Sequence, residues 1–75
     1  MKDILIIDDE PEIRHFLSYL LTQKGYHVTL CKSGRDFHQM LPELSVDLAM
    51  IDVKLPDASG LDLLKQLKQA FPACK

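Results

Sequence analysis

Two short apolar runs, each closed by aspartate, constrain this chain more than any other feature. Ile4-Leu5-Ile6-Ile7 leads into Asp8-Asp9-Glu10, and Leu48-Ala49-Met50-Ile51 leads into Asp52. Continuous apolar runs of this length, rich in β-branched residues, predict strands buried on both faces. Neither is long enough to cross a bilayer. Strands of this kind need helices to cover them, and the sequence between and after them has helical periodicity.

Pro11 stands where a helix can begin, because a first-turn residue needs no N–H. Ile13, Phe16, Leu17, Leu20 and Leu21 then form one apolar stripe. Lys24 suits the C-terminal end of that helix and Gly25 the residue just past it. His27-Val28-Thr29-Leu30-Cys31 alternates polar and apolar residues, as an edge strand does. Ser33 is a candidate N-cap for a second helix with Phe37, Met40 and Leu41 facing inward, and Pro42 stops or bends it. After Asp52 comes a loop, Val53 to Ser59, punctuated by Pro56 and Gly60. A third helix places Leu61, Leu64, Leu67 and Phe71 on its inner face, and Pro72 ends it.

The pattern is βαβαβα, an α/β arrangement with a parallel sheet. Right-handed crossovers, two doubly buried strands and one edge-like strand predict the order 2-1-3. The chain reverses direction between the first and third strands. Such a switch point binds ligands at the carboxyl ends of the strands, and Asp8, Asp9 and Asp52 all fall there.

Singly, each of these aspartates reads as a cap or a loop residue. Together, three converging carboxylates repel one another, and a hard divalent cation relieves that repulsion. Magnesium fits, since it takes oxygen ligands from one or two carboxylates and keeps water and phosphate oxygens. A carboxylate beside bound magnesium is a plausible phosphoryl acceptor.

The 75 residues are 47% apolar and carry a formal net charge of -2. That composition asks for a core and predicts one small unit, residues 1–75. No basic cluster points to direct nucleic-acid binding. Met1-Lys2-Asp3 lacks the apolar stretch of a signal peptide, so the expectation is a cytoplasmic protein without membrane attachment. Cys31 and Cys74 have no metal or redox spacing and read as free thiols, Cys31 as a buried apolar group and Cys74 as a tail residue. His15, His27 and His38 show no ligand spacing either and read as ordinary helix and strand residues. Asp57, Asp62, Lys65 and Lys68 read as a solvated loop and helix face.

Ile6-Ile7-Asp8-Asp9-Glu10-Pro11 and the segment Ile51-Asp52-Val53-Lys54-Leu55-Pro56-Asp57-Ala58-Ser59-Gly60-Leu61-Asp62-Leu63-Leu64 resemble the two diagnostic blocks of a two-component response-regulator receiver domain. The resemblance covers essentially the whole chain and implies a flavodoxin-like sheet. It implies that Asp52 accepts a phosphoryl group from a phosphohistidine on a sensor histidine kinase or phosphotransfer protein. It implies a Mg2+ held directly by Asp9 and Asp52, by the backbone carbonyl of Lys54, and by Asp8 through water. Pro56 and Gly60 would shape the loop that aims this carbonyl. The implied protein is a signalling domain that at most catalyses its own phosphorylation and dephosphorylation, not an enzyme acting on other substrates.

The chain departs from the family pattern in extent. Receiver domains have five βα units, and three are legible here. The Ser or Thr after the fourth strand, the Lys after the fifth, and the output face built by the later elements are not among the 75 residues. The expectation is a truncated receiver, impaired in phosphorylation and switching, and a homodimer formed through the uncovered third strand. The alternative is a non-switching interaction or dimerisation module. A haloacid-dehalogenase-type phosphatase is disfavoured because Lys54 stands where its second aspartate would be. A dinucleotide-binding unit is disfavoured because the first strand–helix turn has no glycine-rich loop.

Overall fold

A computed structural model describes residues 2–73. Cys74, expected as a tail thiol, lies outside the described residues. Strand β1 (Asp3–Ile7) leads to helix α1 (Pro11–Gln23), strand β2 (His27–Cys31), helix α2 (Gly34–Met40), a 3-10 turn (Leu41–Glu43), strand β3 (Leu48–Ile51) and helix α3 (Gly60–Ala70). The strands form a parallel sheet in the order β2-β1-β3. This is the predicted topology, and it follows from the apolar run Ile4–Ile7 of β1, which must be covered on both faces.

Alternation along β1 sends Leu5 and Ile7 to one face and Ile4 and Ile6 to the other. Leu5 and Ile7 join Cys31, Phe37, Val46, Leu63 and Leu67 in a closed core between the sheet and helices α2 and α3. Ala49, Ile51, Leu55, Ala58 and Phe71 pack around its edge. Cys31 is buried there, as expected, and its thiol donates to the Met40 sulfur at 3.5 Å. Burial pushes its pKa up to about 11, with a further push from the Asp36 carboxylate.

The opposite face belongs to α1, and it is open. Ile4 and Ile6 are buried, but no residue of α1 is. Leu17 and Leu21 are half-buried, whereas Ile13, Phe16 and Leu20 are exposed, Phe16 by 62%. The expected inward stripe is thus only half engaged, because among the described residues no second helix lies beside α1 to cover the rest. Met50 shares this face through the Ile6↔Met50 register and is also exposed. The prediction that β3 is buried on both faces is corrected accordingly: β3 pairs only with β1 among the described residues.

Helix ends match local chemistry. Gly25 takes a positive φ of 90° just beyond the α1 C-cap, Lys24. Ser33 caps α2 by accepting the Asp36 N–H at 3.2 Å. The helix gives way to the 3-10 turn before Pro42. Met40, expected inside, reaches Cys31 with its sulfur but leaves 37% of its surface exposed, and Leu41 is half-buried.

Helix α3 keeps Leu67 and Phe71 inward as predicted, but its first two turns are rotated from the predicted setting. Leu63 and Leu67 are buried, while Leu61 (58% exposed) and Leu64 face outward. Gly60 sets this rotation. A Cβ there would lie 2.1 Å from the Asp52 carbonyl oxygen, so the helix enters with its bare backbone against the end of β3. Positions three and seven residues on, Leu63 and Leu67, then share the inward face. Among the described residues, no helix is long and apolar enough to cross a membrane.

Candidate functional site

The parallel register brings the ends of β1 and β3 side by side. Ile7 pairs with Ile51, and the Asp52 N–H donates to the Ile7 carbonyl at 2.9 Å. The Asp8 N–H donates to the Cys31 carbonyl at 3.0 Å, continuing the ladder toward β2. Asp8 and Asp52 therefore leave the sheet as neighbours, and Asp9 follows at the mouth of α1.

Each of the three offers a carboxylate oxygen, and these oxygens lie within 4.8 Å of one another. Asp8 and Asp52 are half-buried and Asp9 is exposed. Backbone donors orient the inner pair: the Glu10 N–H donates to Asp8 Oδ1 at 3.0 Å, and the Lys54 N–H to Asp52 Oδ1 at 3.2 Å. The Arg14 guanidinium reaches back from α1 to the Asp8 backbone carbonyl at 2.7 Å. That contact pins the β1–α1 turn from the helix side.

The loop after Asp52 is a small hairpin. Lys54 and Ser59 form an antiparallel bridge. The bonds on either side run from the Gly60 N–H to the Val53 carbonyl at 2.9 Å and from the Leu55 N–H to the Ala58 carbonyl at 3.3 Å. Lys54 is thus the non-hydrogen-bonded member of the ladder, so its own N–H and carbonyl point away from Ser59. Its N–H goes to Asp52, and in an extended residue the carbonyl lies on the same side. Pro56 occupies the exposed hairpin turn, and Gly60 closes it against the Asp52 backbone. Ser59 caps α3, accepting the Leu61 N–H at 3.3 Å.

Asp57, read from the sequence as a solvated loop residue, is tied to α2. Its Oδ1 accepts the Gly34 N–H at 2.9 Å and its Oδ2 the Arg35 N–H at 3.0 Å. The bond from Gly34, then that from Arg35, hold its carboxyl below the ordinary value of 3.8. Its partners are 22 and 23 residues away, so no local pattern could have announced the contact. The Arg14 contact was missed for a different reason: a charged side chain bonding a backbone carbonyl leaves no sequence signature.

An all-oxygen cluster with two oriented carboxylates is suited to a hard divalent cation, and it sits at the switch point of the sheet. Comparison with known proteins agrees with that reading. A family model described as the response regulator receiver domain matches residues 4–75. Response regulator RR06 of Streptococcus pneumoniae is 36% identical over 67 residues, covering 89% of this chain and 31% of that protein. A CheY-like receiver domain protein from Methanospirillum hungatei superposes with a TM-score of 0.93 at 31% identity, over 100% of this chain and 60% of that one. TrrA from Thermotoga maritima, solved in complex with Mg2+-BeF, gives a TM-score of 0.88 at 31% identity, over 100% of this chain and 65% of that one. TrrA has also been solved in complex with the histidine kinase ThkA. The chain spans roughly a third of the length of the curated relative and under two thirds of these solved structures. With the strand order, the acidic cluster and the matched residues in agreement, the chain belongs to the response regulator receiver domain family.

Proposed function

We propose that Asp52 is the phosphoacceptor of this receiver domain, supplied by a phosphohistidine on a sensor histidine kinase or phosphotransfer protein. The observation that carries the reading is the meeting of Asp8, Asp9 and Asp52 within 4.8 Å at the switch point. A carboxylate oxygen of Asp52 attacks phosphorus, the P–N bond breaks, and the imidazole leaves with the electron pair and takes a proton. The Lys54 N–H holds Asp52 Oδ1 and so orients the other oxygen of the carboxylate. Magnesium, when bound, offsets the negative charge of the transferring group. Asp9, Asp52 and the Lys54 carbonyl are the direct ligands in this reading, and Asp8 acts through water. The oxygen-only donor set and the freedom of the Lys54 carbonyl from the hairpin ladder support that assignment. Pro56 and Gly60 hold the loop in the shape that aims it.

The TrrA–ThkA complex supports a histidine kinase as partner. For these 75 residues alone, we propose poor phosphorylation or none, because among the described residues the metal and local backbone dipoles are what meet the charge on the transferring group. Incubation with acetyl phosphate and magnesium, followed by intact-mass measurement and peptide mapping, tests both statements. At most substoichiometric modification, confined to Asp52 and lost in Asp52→Asn, is expected. Modification mapping elsewhere contradicts the phosphoacceptor assignment, and rapid stoichiometric modification contradicts the impairment.

A second reading, an interaction or dimerisation module, has one observation in its favour. The outer edge of β3 has no strand beside it among the described residues, and Leu61, Leu64 and Val53 are exposed next to it. An apolar open edge is a template for pairing. We propose that the 75-residue chain pairs β3 with its own copy about a two-fold axis. Sedimentation at micromolar concentration is expected to give twice the chain mass, and a folded monomer contradicts the pairing.

A further inference from the structure

The first three residues of helix α2, Gly34, Arg35 and Asp36, carry N–H groups that its own turns cannot satisfy. Ser33 takes the Asp36 N–H on its side chain, and its carbonyl accepts the first helical bond, from the Phe37 N–H. The other two, Gly34 and Arg35, go to the single carboxylate of Asp57. Two of the three are therefore capped from the β3–α3 hairpin, by the residue that follows Pro56 in its turn. The two segments also touch sterically, since a Cβ on Gly34 would lie 2.7 Å from the Ala58 Cβ. Between Asp57 and Asp52 the chain is short and internally bonded, with Lys54 in the middle.

We propose that Asp57 is a positioning residue for the acidic site, because by capping α2 it locks the hairpin that presents the Lys54 carbonyl toward Asp52. The proposal rests on the reading of that site as a magnesium site. Asp57 touches neither metal nor phosphoryl group. It acts by removing a degree of freedom: it adds a tie to α2 beyond the hairpin's own two backbone bonds, the Lys54 bond to Asp52, the packing of Leu55 and Ala58, and Gly60. Without that tie the Lys54 carbonyl samples positions that cannot coordinate together with Asp9 and Asp52. Two consequences separate this role from general stabilisation. Breaking the contact from the α2 side has the same effect as breaking it from the Asp57 side. Restoring the fit restores metal affinity.

The test is a magnesium titration of the 75-residue chain followed by amide NMR. In the wild-type chain, the Gly34 and Arg35 amides are expected to shift with the same midpoint as the Asp52 amide, while those of Ser45 and Val46 at the far end of the sheet stay still. Asp57→Ala is expected to weaken magnesium binding about tenfold, the low end of what loss of an outer support costs a metal site. Asp57→Asn keeps one acceptor oxygen and falls between the two. Gly34→Ala is expected to match Asp57→Ala, and the added Ala58→Gly, which removes the clashing Cβ, to recover most of the affinity. Wild-type affinity in Asp57→Ala overturns the clamp, whether or not that variant is less stable. Should Asp57→Ala fail to fold, silent Gly34 and Arg35 amides in the wild-type titration overturn it instead. A wild-type chain with no magnesium response at all overturns the site reading, and the clamp with it.

Discussion

The two faces of the sheet are built to different standards. On one, α2 and α3 close over Leu5, Ile7 and Cys31, and Phe37, Leu63 and Leu67 are fully buried. On the other, α1 lies over Ile4 and Ile6 without burying a single residue of its own. Strand β3, which leads to Asp52, ends between them. Its loop is fastened to the closed face, through Gly60, Ala58 and Asp57. Asp8 is fastened to the open one, through Arg14 of α1. The site thus has a closely packed wall that carries the loop and a sparsely packed wall beside the first two aspartates.

The largest expected effect contrasts one phenylalanine on each face. Phe37→Ala opens a cavity in the closed core and is expected to cost about 3–5 kcal/mol, enough to unfold much of a chain this small. Phe16→Ala removes a side chain that is 62% exposed and is expected to change stability by about 0.5 kcal/mol. Urea denaturation of the two variants gives both numbers, and comparable losses would mean that the α1 face is as well packed as the other.

Gly60→Ala comes next. The added methyl meets the Asp52 carbonyl and Val53 Cα, neither of which is a flexible side-chain end, so overpacking is expected to cost about 1–3 kcal/mol. The same measurement checks it, and a neutral result would show that α3 can rotate away without loss.

How much of this was legible beforehand follows from the range of the interactions. The bounds of β2, the order 2-1-3, the Ser33 cap and the meeting of the three aspartates rest on local pattern and on chain reversal, and all could be read. The rotation of α3 could not. Leu61, Leu63, Leu64 and Leu67 offer two overlapping stripes, and the choice was made by the close approach of Gly60 to a carbonyl eight residues earlier. The α1 stripe was visible, but which half of it meets the sheet depends on what else covers that face. Asp57 had no local signature, because its partners are on another helix. The resemblance to receiver domains added the roles of the site residues, which spacing alone left open among caps, metal ligands and nucleophiles.

Smaller effects probe the closed face by pH. Asp57 has a lowered folded pKa, so its contribution is present above the ordinary value of 3.8 and is lost as pH falls through the folded value. The difference in melting temperature between wild type and Asp57→Asn is expected to shrink below about pH 3.8, and a constant difference would show that the charge is not what the cap uses. Cys31 has a raised value, so its contribution is present below 9.0 and is lost as pH rises through about 11. At pH 8, Cys31 is expected to alkylate far more slowly in the folded chain than in urea, as read by peptide mapping. Equal rates would place it outside the closed core.

The central claim is that Asp8, Asp9 and Asp52 form one magnesium site around the phosphoacceptor. The direct measurement is the melting temperature of the chain across a magnesium titration. At a concentration about tenfold above the dissociation constant, binding adds about 1.4 kcal/mol of stability, a rise of about 5–10 °C for a domain of this size. The account predicts that rise in the wild-type chain and its loss in both Asp52→Asn and Asp9→Ala. A melt indifferent to magnesium, or one that rises equally in all three, would contradict it.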